Sequence, residues 1–574
     1  MSITPVYYDV PTITSIQDLV LRSARVHGEK LAMEDLKDTP VNRLTFAALL
    51  RMVLKFGTAL QRLGIKERSH IAVIGENRVQ WALAYLTGMC FNDVVVPIDR
   101  NLPINDILNI LHESDSVAVV YPESLEPIFD ERRGSLHHLR YYINMDAASS
   151  QGDMLSMMEL IQKSPGCDTQ ALPDINPEDL AEVIFTSGSL GRAKGVMLSQ
   201  ANLASNLMAM TKYVNITEED RFLMVLPIHH TYACTCGLLC PLYKGASVHF
   251  AKSLKTIVED LQQVRATILL GVPLLYDKMF KRIYKSIAER KVLSKLIGSV
   301  IKATDVLQLI GWKASKRQVF KEIHDRFGGS VRLFIAGGAA QDPLVAKGLR
   351  EFGFNFLQGY GLTETSPILT LNQLENFRDD SAGIPLPGTT LKINEPDAEG
   401  VGEIWARGPG VMLGYYKNEQ ATRDTFEGDW FKTGDLGKID ADGFLHICGR
   451  KKNVIISKSG KNVYPEELED LLNRSSFILE SLVFGEEDKK LGEIIAAQIV
   501  VDAEAFIELS ERKGIQITRE LMHETIADEI ESINRELPSF KQVRKFYIRD
   551  AEFEKTTTQK VKRYLVKPLP TMQH

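Results

Sequence analysis

Residues 183–198 read VIFTSGSLGRAKGVML. The apolar, β-branched run Val183-Ile184-Phe185 stops at Thr186-Ser187-Gly188-Ser189, and Gly191, Lys194 and Gly195 follow. A strand that ends in small hydroxyl residues and glycines exposes several backbone N–H groups at one point. No bulky side chain stands there, so a polyphosphate can approach the backbone closely. The hydroxyls of Thr186, Ser187 and Ser189 and the ammonium of Lys194 add donors and charge. The physical reading is a phosphate-gripping loop, and the competing one is an ordinary Gly/Ser turn. The G-x-x-x-x-G-K-[ST] spacing of a P-loop is absent, because Ala193 precedes Lys194 and Gly195 follows it. No G-x-G-x-x-G is present either.

A chain of 574 residues is too long for one core. Its composition is that of a globular protein. The net charge of −6 gives no overall basis for nucleic-acid binding. Six irregularly spaced cysteines fit a reducing compartment without structural disulfides. Cys234, Cys236 and Cys240 cluster without a completing pair at zinc-like spacing, and are read as buried thiols. The N-terminus has no basic start and no apolar h-region. No uncharged apolar run approaches the ~20 residues of a transmembrane helix. The expected location is cytoplasmic.

From about 70 to 370, short apolar runs such as His70–Ile74, Glu182–Phe185, Arg221–Leu226 and Val331–Ala336 alternate with helical patterns such as Val79–Met89. This alternation predicts α/β sheets with crossover helices. Between 382 and 450 glycine becomes frequent, and runs such as Gly402–Arg407 predict β structure. After 451 come two helical stretches, Pro465–Asn473 and Thr518–Leu537, with strand-like Ile494–Val501 between them. The expected organisation is a large region over 1–450 and a small α+β domain over 451–574.

Residues 278–326 stand apart with 13 Lys/Arg against 4 Asp/Glu. Apolar residues such as Ile283, Leu296 and Ile301 interleave with the basic ones. One reading is a basic amphipathic helix docked peripherally at an anionic inner membrane surface. The other is a solvated helical face packed by its apolar side.

Four further constellations carry chemistry. In Gln358-Gly359-Tyr360-Gly361-Leu362-Thr363-Glu364, an aromatic ring between glycines can lie flat against a nucleobase. Thr363 can donate to a phosphate oxygen, and Glu364 is a hard oxygen ligand suited to Mg²⁺. In Trp430-Phe431-Lys432-Thr433-Gly434-Asp435, a carboxylate after a tight turn can accept from both ribose hydroxyls. Gly449-Arg450-Lys451-Lys452-Asn453 precedes a run from Ser459 to Glu469 that holds Gly460. Near the C-terminus, Glu554-Lys555-Thr556-Thr557-Thr558-Gln559-Lys560-Val561-Lys562-Arg563 holds flexible cations that can neutralise developing charge. Ala336-Gly337-Gly338-Ala339-Ala340 and Pro227-Ile228-His229-His230-Thr231 each follow an apolar run.

The 186–195 loop resembles the T-S-G-[ST]-T-G-x-P-K-G signature of adenylate-forming enzymes, with Leu190 and Ala193 in place of threonine and proline. The Tyr360–Glu364 group resembles that family's Y-G-x-T-E motif. The motifs come in the expected order from about 40 to 565. The Ser459–Glu469 run and the basic insert look most like long-chain acyl-CoA ligases. The resemblance implies a mobile C-terminal domain and assigns roles by position. Thr186, Ser187, Gly188, Ser189 and Lys194 hold ATP phosphates. Gly338 and Ala339 lie on the adenine side with Tyr360 and Gly361, and Thr363 and Glu364 serve phosphate and Mg²⁺. Asp435 and Arg450 hold the ribose, Lys452 is the hinge, and Gly460 is approached by the thiol cofactor. His229 gates the acyl pocket, and Lys560 promotes adenylation, with Gln559 and Glu554 departing from the motif. The implied reaction converts a fatty acid and ATP to acyl-AMP and pyrophosphate, then transfers the acyl group to CoA. Alternatives are a holo-acyl carrier protein as acceptor and a non-catalytic nucleotide-binding protein.

Overall fold

The computed structural model describes residues 5–37, 39–186, 193–288, 301, 315–457, 460–488, 492–555 and 561–566. The chain divides into two compact units. One comprises Met1–Leu391, Ala406–Phe431 and Ala441–Leu445, the other Lys392–Trp405, Lys432–Asp440 and His446–His574.

The first unit holds two large sheets. Among the described residues, one has nine strands, in the order Ile384–Pro385, Ile368–Leu371, Asn355–Gly361, Leu333–Ala336, Ile268–Gly271, Arg221–Met224, Ser247–Phe250, Leu31–Asp35 and Arg43–Thr45. The other has eight, in the order Gly414–Tyr415, Lys194–Ser199, Leu180–Thr186, Val94–Ile98, His70–Ile74, Ala118–Tyr121, Tyr141–Asn144 and Met154–Ser156. Their central strands are parallel. Val94–Ile98 is buried at every position, as a parallel strand covered on both faces must be.

Helix Val79–Cys90 is buried along its whole length, which suits a helix apolar all round. One core cluster joins its Trp81, Leu83 and Leu86 to Met33 and Val248 of the nine-stranded sheet and Val73 and Val95 of the eight-stranded one. The α/β alternation begins earlier than the expected residue 70. Helices Ile16–His27 and Phe46–Arg62 and strand Leu31–Asp35 already belong to it. That strand carries charge at Glu34 and Asp35, which masks its apolar pattern.

The second unit holds most of strands Gly402–Arg407, Trp430–Ile439 and Leu445–Arg450, which form a β layer. A three-stranded sheet follows, with Ile478–Asp488 antiparallel to Gly492–Val501 and the latter parallel to Lys545–Arg549. Helices Pro465–Leu472, Ala503–Lys513 and Arg519–Glu536 cover it through Leu468, Phe506, Ile526 and Ile530. These apolar residues recur at helical spacing, so each helix presents one stripe to the sheet.

Candidate active site

The phosphate-loop strands form an antiparallel hairpin, Leu180–Thr186 against Lys194–Ser199, whose last pair is Thr186 with Lys194. The Thr186 hydroxyl donates to the Lys194 carbonyl at 3.5 Å. The hairpin thus brings a hydroxyl and an ammonium to one end. Strand Gly414–Tyr415 pairs on its other edge, with Tyr415 opposite Val196. Lys194 Nζ lies 4.7 Å from the Tyr415 ring centre, a cation–π distance. The Tyr415 hydroxyl donates to Glu364 Oε1 at 3.0 Å. Burial pushes the Tyr415 phenol well above its ordinary pKa, and the Glu364 carboxylate pushes it further. It therefore remains a donor.

Two buried asparagines hold this arrangement. Ser199 caps helix Gln200–Tyr213 in a reciprocal pair with Asn202. The Asn202 amide donates to the Pro409 and Val411 carbonyls at 2.8 and 3.0 Å. One turn on, Asn206 donates to Thr365 and Ile368 carbonyls at 3.3 and 2.8 Å. A single helix face therefore fastens both the segment before Tyr415 and the segment after Glu364. Sequence reading missed Asn202, Asn206 and Tyr415. Two asparagines four apart on one face of a largely buried helix are a usable signal, because buried amides require partners.

Tyr360 is the penultimate residue of strand Asn355–Gly361, which pairs antiparallel with Ile368–Leu371. A Cβ on Gly361 would fall 1.8 Å from the Pro367 carbonyl oxygen, and one on Gly359 would fall 2.8 Å from that of Thr370. The flanking glycines are thus required by the neighbouring strand. Thr363 and Glu364 lie in the short 3₁₀ turn Thr363–Thr365. Gly338 (φ +87°) and Ala339 are exposed just beyond strand Leu333–Ala336.

His229 is buried, its ring centre 4.2 Å from that of His230. Burial pulls its pKa down to about 3. Asp99 Oδ2 lies 3.6 Å from Nε2, too far for a hydrogen bond. His229 is therefore a neutral imidazole beside an acid, not half of an ion pair. Nε2 has no hydrogen-bond partner among the described residues. Cys234 and Cys236 follow in the buried π-helical segment Tyr232–Leu239, and all six cysteines are free. Within the hairpin, the buried Glu182 carboxyl accepts from Tyr85 Oη at 2.9 Å.

In the second unit, Gly434 adopts φ +70° before Asp435, a turn that glycine makes without steric cost. Thr433 Oγ1 accepts from the Asp435 N–H at 3.1 Å and donates to the Ile404 carbonyl at 2.7 Å. The buried Asp435 carboxylate meets Arg450 Nε at 2.6 Å. Lys452 is exposed, and partial burial of its amine together with the Arg450 charge lowers its pKa. Gly460 has φ +73° and open space on its Cβ side.

Ser187, Gly188, Ser189, Leu190, Gln559 and Lys560 lie outside the described residues, as does most of the basic stretch. In its described part, helix Pro273–Ala288 exposes Lys278, Lys281, Arg282 and Lys285 and buries Tyr276, Met279 and Ile283 in a core cluster. That part is a solvated face over a packed apolar side. Among the described residues, no helix is long and apolar enough to cross a membrane.

Comparison with known proteins agrees with this geometry. A family model described as AMP-binding enzyme matches residues 20–416, and one described as AMP-binding enzyme C-terminal domain matches 452–567. The long-chain-fatty-acid–CoA ligase FadD15 of Mycobacterium bovis is 27% identical over 98% of this chain and 96% of its own. The chloroplastic long-chain-fatty-acid–[acyl-carrier-protein] ligase AEE15 of Arabidopsis thaliana is 29% identical over 84% of this chain and 76% of its own. MatB of Rhodopseudomonas palustris, solved bound to ATP, gives a TM-score of 0.75 over 96% of this chain and 98% of that one, at 25% identity. The matched segments span most of the sequence, and the two separated motifs meet at Tyr415, so this chain belongs to the AMP-binding enzyme family of adenylate-forming acid–thiol ligases.

Proposed function

We propose that the protein activates a long-chain fatty acid with ATP and transfers the acyl group to CoA. The observation that carries this reading is the Lys194–Tyr415–Glu364 contact, which brings the phosphate-loop lysine and the Y-G-x-T-E carboxylate to one aromatic side chain. The long-chain choice is supported by relatives named for such acids over nearly the whole chain.

In the first half-reaction a carboxylate oxygen attacks the α-phosphorus, the bond to the bridging oxygen breaks, and pyrophosphate leaves with the electron pair. Lys194 and the Thr186 hydroxyl supply positive charge and a donor to phosphate oxygens, and Lys560 neutralises charge in the transition state. Glu364 offers the single carboxylate that a magnesium ion needs when phosphates and water complete its shell. Such an ion, when bound, screens phosphate charge. Tyr360, Gly361, Gly338 and Ala339 serve the adenine side, Thr363 a phosphate oxygen, and Asp435 with Arg450 the ribose hydroxyls.

In the second half-reaction a thiol loses its proton, attacks the acyl carbonyl, and AMP leaves. Gly460 leaves room for the pantetheine arm, Lys452 is the hinge, and the neutral His229 gates the acyl pocket. This chemistry rests on positioning and charge stabilisation, without a nucleophilic side chain. The reading assigns the protein to the cytoplasm, where ATP and CoA are supplied and thiols stay reduced. Exposed lysines of helix Pro273–Ala288 would meet an anionic inner membrane surface peripherally, checked by co-sedimentation with anionic and neutral vesicles.

A second reading has holo-acyl carrier protein as acceptor, supported by the relative named for that activity. The test is pyrophosphate release with ATP and Mg²⁺ across acids from acetate to oleate, with CoA, with holo-carrier protein, and with neither. CoA-stimulated release peaking at long acids supports the first reading. Stimulation by carrier protein alone supports the second. No acid-dependent release overturns both.

A further inference from the structure

The edge strand Gly414–Tyr415 is two residues long. Two bonds extend its ladder: the Leu413 N–H donates to the Met197 carbonyl at 2.9 Å, and the Tyr416 N–H donates to the Gly195 carbonyl at 2.7 Å. So short a pairing fixes little by itself, and flanking contacts hold it in place. Asn202 supplies them on the N-terminal side, through Pro409 and Val411. On the C-terminal side they converge on Asp115, 301 residues from Tyr416 in sequence.

Asp115 stands just past the end of helix Ile104–Glu113. The Asp115 N–H donates to the His112 carbonyl at 3.2 Å and the Ser116 N–H to that of Leu111 at 3.4 Å, the two bonds that close a helix through a left-handed residue. Asp115 is that residue, with φ +53°, where glycine is the usual choice. Its carboxylate has a use there. Oδ2 accepts from the Tyr416 hydroxyl at 2.8 Å and meets Lys417 Nζ at 2.6 Å. Lys417 is itself left-handed, at φ +51°. Its ammonium also donates to the Glu113 carbonyl at 3.2 Å, where the end of a helix favours a cation. Partial burial opposes ionisation, yet Lys417 and Tyr416 hold the Asp115 carboxyl below the usual carboxylate range. Two non-glycine residues in the left-handed region, joined by one ion pair, mark a functional contact more than a stabilising one. Both side chains are about half exposed, and such pairs contribute little to stability.

Successive residues along a strand face opposite sides of the sheet. Tyr415 belongs to the core cluster that holds helix Val79–Cys90, and Tyr416 packs against a different one, with Val96 and Val119. Fixing Tyr416 on one side therefore fixes Tyr415 on the other. We propose that Asp115 is a positioning residue for the nucleotide site: by holding Tyr416 and Lys417, it sets where Tyr415 meets Lys194 and Glu364. This rests on the phosphate-handling roles proposed above for Lys194 and Glu364. Asp115 does not touch the reacting atoms. It acts through the backbone that joins Tyr416 to Tyr415, and displacement by about 1 Å can cost a site about a hundredfold.

The test uses the full chain. MgATP affinity is measured by calorimetry in the absence of acid, and stability by the urea midpoint. Asp115→Gly removes the carboxylate and suits the left-handed backbone, so its midpoint is expected close to that of wild type. Its MgATP affinity is expected to fall by about threefold to tenfold, as for a displacement of less than about 1 Å. Tyr416→Phe is expected to repeat the loss. Asp115→Asn tolerates the same backbone and keeps an acceptor for the Tyr416 hydroxyl, and is expected to bind more tightly than Asp115→Gly. Tyr415→Leu is the reference. It is expected to weaken binding, and adding Asp115→Gly to it to weaken binding no further, because both act through one contact. If Tyr415→Leu weakens binding while Asp115→Gly binds as wild type, the positioning role is overturned and the reading of the site stands. If Tyr415→Leu itself binds as wild type, that reading and this proposal fall together. Additive losses in the double variant, or a loss that follows the urea midpoint, mark an independent or structural role and also overturn the proposal.

Discussion

The Lys194 ammonium lies 4.7 Å from the centre of the Tyr415 ring, although 220 residues separate them in sequence. The ring offers its negative face to the cation, and the hydroxyl at its far end holds Glu364. One side chain thus joins the two motifs that handle phosphate in the proposed reaction. Tyr415→Phe keeps the ring and loses the hydroxyl. It is expected to weaken the apparent affinity for MgATP by about tenfold to a hundredfold, because a hydrogen bond to a charged group contributes about 1.5–3 kcal/mol. Tyr415→Leu also loses the cation–π contact and is expected to do worse. Pyrophosphate release against MgATP concentration checks both, and equal KM values in the two variants would refute the division of labour.

Asp435 and Arg450 form an ion pair, and both are proposed to hold the ribose. Asp435→Asn retains the shape, removes the charge and leaves Arg450 without its counter-ion. AMP binding measured by calorimetry is expected to weaken by tenfold or more, since charge-assisted bonds exceed neutral ones about twofold in strength. Unchanged AMP affinity would remove Asp435 from the nucleotide site.

Gly361 has no room for a side chain. Its Cβ would meet the Pro367 carbonyl oxygen at 1.8 Å, with backbone on both sides of the clash. Gly361→Ala is expected to cost about 1–3 kcal/mol or more of stability by overpacking. The readout is the urea midpoint of the purified variant, and a wild-type midpoint would contradict the packing found here.

Burial pushes the Glu182 carboxyl up to about 7, against about 4.3 for a free glutamate. Between these values the folded chain holds a proton that the unfolded chain has released. The unfolded state binds fewer protons there, so stability falls as pH rises through this window and levels off above it. Glu182→Gln keeps an acceptor for Tyr85 and cannot ionise. Its stability relative to wild type is expected to grow from pH 5 to pH 8, by on the order of 3 kcal/mol. Urea unfolding of both proteins at the two pH values provides the comparison, and parallel pH slopes would show that Glu182 is not the group responsible.

Much of the fold was legible because local pattern and tertiary role agree. Val183-Ile184-Phe185 is a strand, and it stops at Thr186, where the hydroxyl residues begin. His70–Ile74 and Val79–Cys90 lie where their apolar runs predict. Leu31–Asp35 was not legible, because its partner is strand Ser247–Phe250, far along the chain. Its charged end makes contacts that local pattern cannot express: Glu34 meets His249 at 2.9 Å, and Asp35 accepts from the Val79 N–H at 3.1 Å.

By itself, the sequence determined the order of the motifs, the residue types available to phosphate and ribose, and the alternation that demands α/β sheets. Those are properties of spacing and side-chain chemistry, which neighbouring residues suffice to express. Only the tertiary structure decided that Tyr415 joins Lys194 to Glu364, and that Asn202 and Asn206 fasten the segments around them. It also decided that Asp115 holds Tyr416 and Lys417 beside that tyrosine. Each is a contact between segments remote in sequence. Such contacts are set by strand register and by the need of buried polar groups for partners, and neither can be read from one segment alone.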